Sequence, residues 1–542
     1  MSFIKVELLL QVNVIESQGK EWSRRASVSI DHPRMLNLIN SVPTSAYPLF
    51  FLFVILTLVV RRLLAPKPSA PLLNPRRFYE FSDNGPVSRI LNTTRKTIED
   101  WFAKNPETPM RLICDLGEIT VLPPSMADEI KKDSRLSFIK ASNDSAFHIS
   151  IPGFEPYREG GKHEAALVKN VVHGHLKKTL NRITLPLAQE TYLAIDEYLG
   201  SSQEWHKIPL NATMLPLITR ISTRVLLGED LCRNEEWIRI ASSYSVTSTT
   251  VAGRLRRWPQ HLRYIVSLLS PQCWELRKQV SDSHALIDPI LERRRSEEKG
   301  TVYNDSLEWF EKTAKAAYDP ADTQLFLTAV SIHTTVDLLS QALEDICAHP
   351  EIIGPLQDEI RTVIKEEGWN TKALYKMKLL DSALKETQRL KPVQIASMMR
   401  EALVDVTLQD GTFIPKGHQL AVSCHNMRDE KIYPNANEWD GYRFYRERQE
   451  ADAAREDKIQ LSSTSVEHMG FGYGEHACPG RFFAAKEVKI VMMYLLLNYE
   501  WRIPEGTKPN PVSCCTIWVT DPTFEIEVRK KGSEDPALEL AY

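Results

Sequence analysis

A ten-residue run near the C-terminus, Phe471-Gly-Tyr-Gly-Glu-His-Ala-Cys-Pro-Gly480, limits what this chain can fold into more than any other feature. Gly474 permits a tight turn close to a flat group, where a side chain would collide. Cys478 sits just before a predicted helix that begins near Gly480 and Arg481. Main-chain N–H groups at such a helix start stabilise a thiolate. Phe471 can cover that thiolate and keep water away. A cysteine so placed suits a soft, anionic ligand for iron.

The rest of the chain fits a large globular protein. It has 542 residues, and a length prior of roughly 150 residues per domain would divide it. Net charge is −3 with both signs scattered, which removes the basic footprint of a nucleic-acid binder. The eight cysteines form no CxxC and no zinc-ligand spacing. Their density is too low for a disulfide scaffold, so a reducing compartment is expected. Cys514 and Cys515 adjoin a strand-like apolar patch and are expected to be buried, inert thiols.

Met35 to Val60 carries no charge, and its core from Tyr47 to Val60 is almost wholly apolar. With its uncharged lead-in it reaches the ~20 residues needed to span a bilayer. Arg61 and Arg62 follow at once, which places that side in the cytosol. The expected order is a polar extension over 1–34, in which Met35 would make a conventional start, a transmembrane anchor over 43–62 and a Pro-rich tether over 63–71. A single large unit over 72–542 completes it. A cleaved signal peptide is disfavoured, because no small-residue cleavage site follows.

Beyond the tether, period-3.6 apolar spacing predicts helices over Asp322–His349, Pro355–Glu367, Thr371–Arg389 and Phe482–Asn498. Alternating segments at Ala402–Leu408 and Thr412–Pro415 flank Gln409-Asp-Gly411, a hairpin signal. The expected body is mainly α with small β-sheets, and no linker divides it.

The cysteine run matches F-x-x-G-x-[RH]-x-C-x-G, and so resembles the haem-binding signature of cytochromes P-450. That resemblance implies one mainly helical body with haem b (iron protoporphyrin IX) between two helices. It makes Cys478 the axial ligand of the iron, with Phe471, Gly474 and Gly480 completing the cofactor loop. His476 stands where most members carry an arginine to a haem propionate. Arg400, ahead of Phe413-Ile-Pro-Lys-Gly417, resembles the strand arginine that pairs with a propionate. The usual W-x-x-x-R is missing, and His173 in Val171-Val-His-Gly-His-Leu176 is a candidate replacement donor. Glu386-Thr-Gln-Arg389 puts two charges on one helix face. In the family this pair meets a third partner, here Arg443 of Trp439-Asp-Gly-Tyr-Arg-Phe444. The triad's expected role is structural.

Ala329-Val-Ser-Ile-His-Thr-Thr335 resembles the family's oxygen-activating segment. Thr334 matches the threonine that hydrogen-bonds bound dioxygen and relays protons. The sequence departs from the pattern at Ser331, where glycine is usual, and at His333, where an acid is usual. A histidine near neutral pH can shuttle protons as a carboxylate does. Threonine beside histidine resembles a filamentous-fungal branch that oxidises terpenoids and related secondary metabolites. Glu204-Trp205 through Arg233 looks like the same branch, and Trp258-Pro259 is expected in a loop touching the membrane.

The implied reaction is hydroxylation or oxidation of a hydrophobic terpenoid or meroterpenoid with O2. An indole alkaloid or polyketide substrate remains open. No flavin or dinucleotide fingerprint occurs, so a membrane-bound NADPH-cytochrome reductase is the expected electron source. Arg481 and Lys486 are candidates for docking it. The expected location is the endoplasmic reticulum membrane, single-pass, with the catalytic domain cytosolic. Two rival functions are a haem-thiolate isomerase or dehydratase needing no external electrons, which Thr334 argues against, and a non-enzymatic haem sensor.

Overall fold

The computed structural model describes residues 66–80, 82–161, 166–297, 303–514 and 516–539, together with Leu56. The extension over 1–34 and the anchor over 43–62 lie outside the described residues, Leu56 apart, as do Cys515 and the side chain of Cys514. Among the described residues no helix is long and apolar enough to cross a membrane. Lys67–Tyr542 forms one compact unit. The end of the Pro-rich tether is pinned to it: Ser69 N–H donates to Phe413 O, and Arg111 N–H donates to Pro71 O.

The helices that build the body are α1 (Lys177–Leu199), α2 (Leu210–Leu226), α3 (Glu235–Arg256), α4 (Arg263–Leu269), α5 (Pro271–Ser296), α6 (Pro320–Ala348), α7 (Ile353–Glu367), α8 (Lys378–Leu390), α9 (Arg443–Glu450) and α10 (Arg481–Asn498). The central one is α6, packed against α2, α3, α5, α8 and α10. Its start is fixed by Asp319, whose carboxylate accepts from Asp322 N–H, and by Pro320 at the first helical position. It stops before Pro350, which cannot continue it. Apolar residues surround α10 on every side, and from Val488 to Asn498 it is buried throughout.

A five-stranded sheet holds β1 (Met110–Cys114), β2 (Gly117–Leu122), β3 (Leu136–Ser137), β4 (Ala396–Ala402) and β5 (Gln419–Ser423). Their order across the sheet is β1-β2-β5-β4-β3, antiparallel except for β2 with β5. A separate three-stranded sheet sets Glu525–Lys530 between His206–Pro209 and Tyr499–Arg502.

Two elements differ from the sequence reading. The helix expected over Thr371–Arg389 is two, Thr371–Lys376 and α8, broken at Met377. The break has a local cause: Glu359 of α7 accepts from Leu379 N–H at 2.7 Å and Leu380 N–H at 2.9 Å, supplying α8 with its own N-terminal cap. The strand expected over Ala402–Leu408 ends where it was expected to begin. Residues 396–402 form β4, and only Val406–Thr407 pairs with Phe413–Ile414 across the turn at Gly411. A bulge between Ser397 and Arg400, with Met398 at φ +55°, interrupts the alternation that would mark β4 in a sequence.

Candidate functional site: a cysteine loop on a polar scaffold

The loop carrying Cys478 is held by main chain. Cys478 N–H donates to Phe471 O at 2.8 Å, and the Arg481 guanidinium donates to Cys478 O at 2.8 Å. Gly472 and Gly474 take φ of +72° and +79°, left-handed values that favour glycine. A Cβ on Gly474 would also meet Lys131 Cβ at 2.6 Å, so the collision seen at this position is with protein. A Cβ on Gly480 would stand 3.9 Å from Cys478 Sγ, which places the sulfur over the start of α10. Burial raises the thiol above its ordinary range, while the Gly480 and Arg481 N–H groups and the Arg481 charge pull it the other way. A metal cation at the sulfur would complete the shift, because coordination deprotonates a thiol.

Arg400 lies beside this loop. The bulge in β4 turns its side chain inward, where the residue is only 1% exposed. One arm donates to Met399 O at 2.8 Å, whereas among the described residues buried Nη2 has no hydrogen-bond partner and no carboxylate pairs with the guanidinium. Burial draws its pKa down to about 10. His476 stacks on Phe138, and the Arg400 guanidinium lies 5.8 Å from the same ring. Burial, then the Arg400 charge, lowers the His476 pKa. A buried cation lacking an anion costs several kcal/mol. An acidic group in contact with Arg400 and His476 would answer that cost, and a haem propionate has this chemistry. The residues present therefore fit a haem ligated by Cys478. The main chain of His173 belongs to the turn Val172–Leu176, but its side chain lies outside those described.

Behind the loop, Glu386 is completely buried. Arg389 grips it in bidentate fashion, with Nε to Oε2 and Nη2 to Oε1 both at 2.8 Å, and Arg443 Nε donates to it at 3.0 Å. Further guanidinium protons go to main-chain carbonyls. Arg389 donates to Met427 and Ala436, and Arg443 to Pro434, Asn435 and Glu438. The triad thereby fastens α8 to residues 427–438. That segment leads to the cysteine loop through Asn426 Nδ2 donating to Val466 O and Tyr433 OH donating to Glu467 O. Gly470 rests directly on α8: a Cβ there would lie 2.3 Å from the Gln388 side chain. The sequence reading missed Asn426, Tyr433 and Gly470. Gly470, lying just outside the motif, was the one detectable signal.

On α6, Val330 and Thr334 are exposed one turn apart, in the middle of an otherwise mostly buried helix. Thr334 Oγ1 donates to Ser331 O at 3.1 Å, and Thr335 Oγ1 donates to the same carbonyl at 2.9 Å. Two hydroxyls on one carbonyl compete with the helical ladder there. His333 points elsewhere: its Nε2 meets Ser242 O of α3 at 3.0 Å. A carbonyl only accepts, so Nε2 carries the proton and Nδ1 is left as acceptor. Burial lowers the pKa of this ring, favouring the neutral form. The structure thus separates His333 and Thr334 onto different faces. Lys486 is also committed, donating to Thr371 Oγ1 at 2.7 Å, with burial drawing its pKa to about 8.

A mainly helical body, with a cysteine at the mouth of a buried helix and a buried arginine lacking a carboxylate partner among the described residues beside it, has the chemistry to hold an acid-bearing cofactor by a thiolate. The family profile "Cytochrome P450" matches residues 161–528. The chain is 67% identical over 514 residues to cytochrome P450 monooxygenase TRI1 of Fusarium sporotrichioides, covering 94% of each protein. It is 41% identical to cytochrome P450 monooxygenase hepE of Aspergillus oryzae, covering 91% of this chain and 92% of that one. It is 42% identical to dihydromonacolin L monooxygenase LovA of Aspergillus terreus, covering 80% and 83%. The chain belongs to the cytochrome P450 family and is a monooxygenase of the kind found in fungal secondary metabolism.

Proposed function

We propose that this enzyme hydroxylates a hydrophobic terpenoid or meroterpenoid intermediate that reaches it from the membrane. Haem b held by Cys478 supplies oxygen activation, with electrons from an NADPH-cytochrome reductase. Arg400 and His476 hold the propionates, Phe471 and Gly480 shape the sulfur's surroundings, and the Glu386–Arg389–Arg443 triad fixes the loop without entering the chemistry. The observation that carries the reading is Thr334, a hydroxyl exposed beside apolar Val330 in the middle of a largely buried helix. Its Oγ1 can release its bond to Ser331 O and pass a proton toward the oxygen side. His333 can take part only through Nδ1, or by giving up its bond to Ser242.

Thr334→Ala is expected to retain haem but to divert electrons into hydrogen peroxide, lowering product per NADPH at least about tenfold. His333→Ala should slow turnover, and His333→Asp should restore part of it. Reconstitution with reductase and NADPH, measuring product and peroxide together, checks both. Full coupling in Thr334→Ala would remove the threonine from proton delivery. Normal turnover of His333→Ala between about pH 6 and 8 would leave His333 a packing residue that ties α3 to α6.

Delivery from lipid draws support from an apolar surface around α4. Trp258, Tyr264, Ile265, Leu268, Leu269 and Trp274 are all exposed there, Leu269 by 73%. Such a patch suits insertion into a bilayer surface. With residues 43–62 as a single-pass anchor and Arg61 and Arg62 cytosolic, the catalytic unit faces the cytosol from the endoplasmic reticulum. Sequons begin at Asn92, Asn143, Asn211 and Asn304. Asn92 and Asn304 are exposed, whereas Asn211 lies in α2 with its amide donated to Thr520. All four are expected to stay unmodified. An endoglycosidase-sensitive mass shift mapped to Asn92 or Asn304 would reverse the orientation.

A further inference from the structure

Where α5 crosses the first turn of α6, three carboxylates gather around one imidazole. His284 of α5 presents Nδ1 to Asp288 Oδ2, one helical turn on, at 3.2 Å. Its Nε2 faces Asp319 Oδ1 at 3.6 Å and Asp322 Oδ1 at 3.4 Å. Asp288 fixes the ring: in the neutral imidazole that a metal would take, a carboxylate at Nδ1 holds the proton there and leaves Nε2 as a lone-pair donor.

An acidic cluster alone would say little, but Asp322 adds an independent observation. The residue is only 4% exposed, and its Oδ1, which faces His284 Nε2, has no partner of hydrogen-bond geometry. Its approach to Nε2 does not meet hydrogen-bond geometry. Among the described residues no lysine or arginine pairs with Asp288, Asp319 or Asp322, whose shared ionic partner is His284 alone. A buried carboxylate whose one ionic partner is a partly exposed histidine keeps part of its desolvation cost unanswered. Asp319 is already positioned by its capping bond from Asp322 N–H at 2.9 Å, and a second lone pair of Oδ1 stays available.

The two spacings from the imidazole nitrogen suit a particular occupant. Tetrahedral zinc, bonded at about 2.0–2.1 Å to nitrogen and oxygen, sets its ligand atoms about 3.3–3.4 Å apart. The two nitrogen–oxygen separations here are 3.4 and 3.6 Å. An imidazole donor favours zinc-class ions over magnesium or calcium, which prefer oxygen alone. His284 and Asp319 are each about one-third exposed, by 32% and 36%, which leaves an entry path and room for a water as fourth ligand.

We propose that His284, Asp319 and Asp322 form a structural binding site for a zinc-class divalent cation, with Asp288 as the positioning residue. The ion would clamp α5 to the start of the helix that carries Thr334, at a place separate in sequence from every residue of the haem site.

The test uses detergent-solubilised, haem-loaded full-length protein, stripped with chelator, incubated with zinc chloride and gel-filtered. Wild type should retain about one zinc per haem iron, and zinc should raise its melting temperature. His284→Gln and Asp322→Asn should each retain less than about a tenth as much. Asp288→Asn, at a half-exposed position, should bind zinc about 10–100-fold more weakly. Retention of no zinc by wild type, or of equal zinc by the first two variants, would overturn the site. If either of those variants loses its haem, Asp288→Asn decides: undiminished zinc affinity would overturn the proposal. Magnesium chloride in place of zinc should give no retention, and equal retention would overturn the assignment to zinc-class ions.

Discussion

Cys478→Ala is expected to abolish the absorbance at about 450 nm of the reduced, carbon-monoxide-bound enzyme, together with all turnover. The loop itself should survive. Its two ties, Cys478 N–H to Phe471 O and Arg481 to Cys478 O, are made by main-chain atoms of residue 478 and do not need the sulfur. Loss of the band would therefore report loss of the thiolate rather than collapse of the site. Circular dichroism and thermal unfolding of the variant should stay close to wild type when each is compared without haem. A normal band at about 450 nm in Cys478→Ala would remove this cysteine from the iron.

The second large effect is expected from Glu386→Ala. Removing the carboxylate leaves the fully buried Arg389 guanidinium without its anion, and Arg443 without its central partner. Breaking a buried ion pair from one side costs roughly 3–5 kcal/mol, a large part of a typical folding free energy of about 5–15 kcal/mol. The damage should spread along residues 427–438 and into the cysteine loop, so haem-loaded yield should fall far more than total expression. Carbon-monoxide difference spectra per milligram of protein, alongside the melting temperature, check this. A Glu386→Ala protein with full haem and a melting temperature within about 2 °C of wild type would show that the triad does not hold the loop.

The legible parts of this site share one property, which is that the sequence keeps them close together or in a fixed pattern. Cys478, Phe471 and Gly474 fall within a single short loop, and Glu386 and Arg389 sit three apart on one helix. The parts that escaped are contacts between distant segments. His333 to Ser242 spans 91 positions, and Asn426 to Val466 spans 40. Periodicity places His333 on a helix but not which neighbour that face will meet. The cluster at His284 likewise appears only once α5 is laid across α6. Boundaries failed for a related reason: the break at Met377 depends on Glu359, which belongs to a different helix. The strand of Arg400 was misplaced because its bulge disrupts the period of two on which strands are recognised.

The arginines of the triad speak to residues 427–438 through backbone oxygens, an atom that every amino acid possesses. The grip on those carbonyls is consequently indifferent to most side chains in that stretch, Tyr433 excepted, whose ring lies 4.8 Å from the Arg389 guanidinium and whose hydroxyl reaches Glu467 O. Such a segment can change many of its letters over evolutionary time and still be held in one shape, so long as Tyr433 and the Glu430 carboxylate that accepts from Ala436 N–H remain. Its exposed positions, unlike buried Met427 and Ala436, offer an engineer surface to rewrite, provided no added proline removes the curvature that turns those five carbonyls inward.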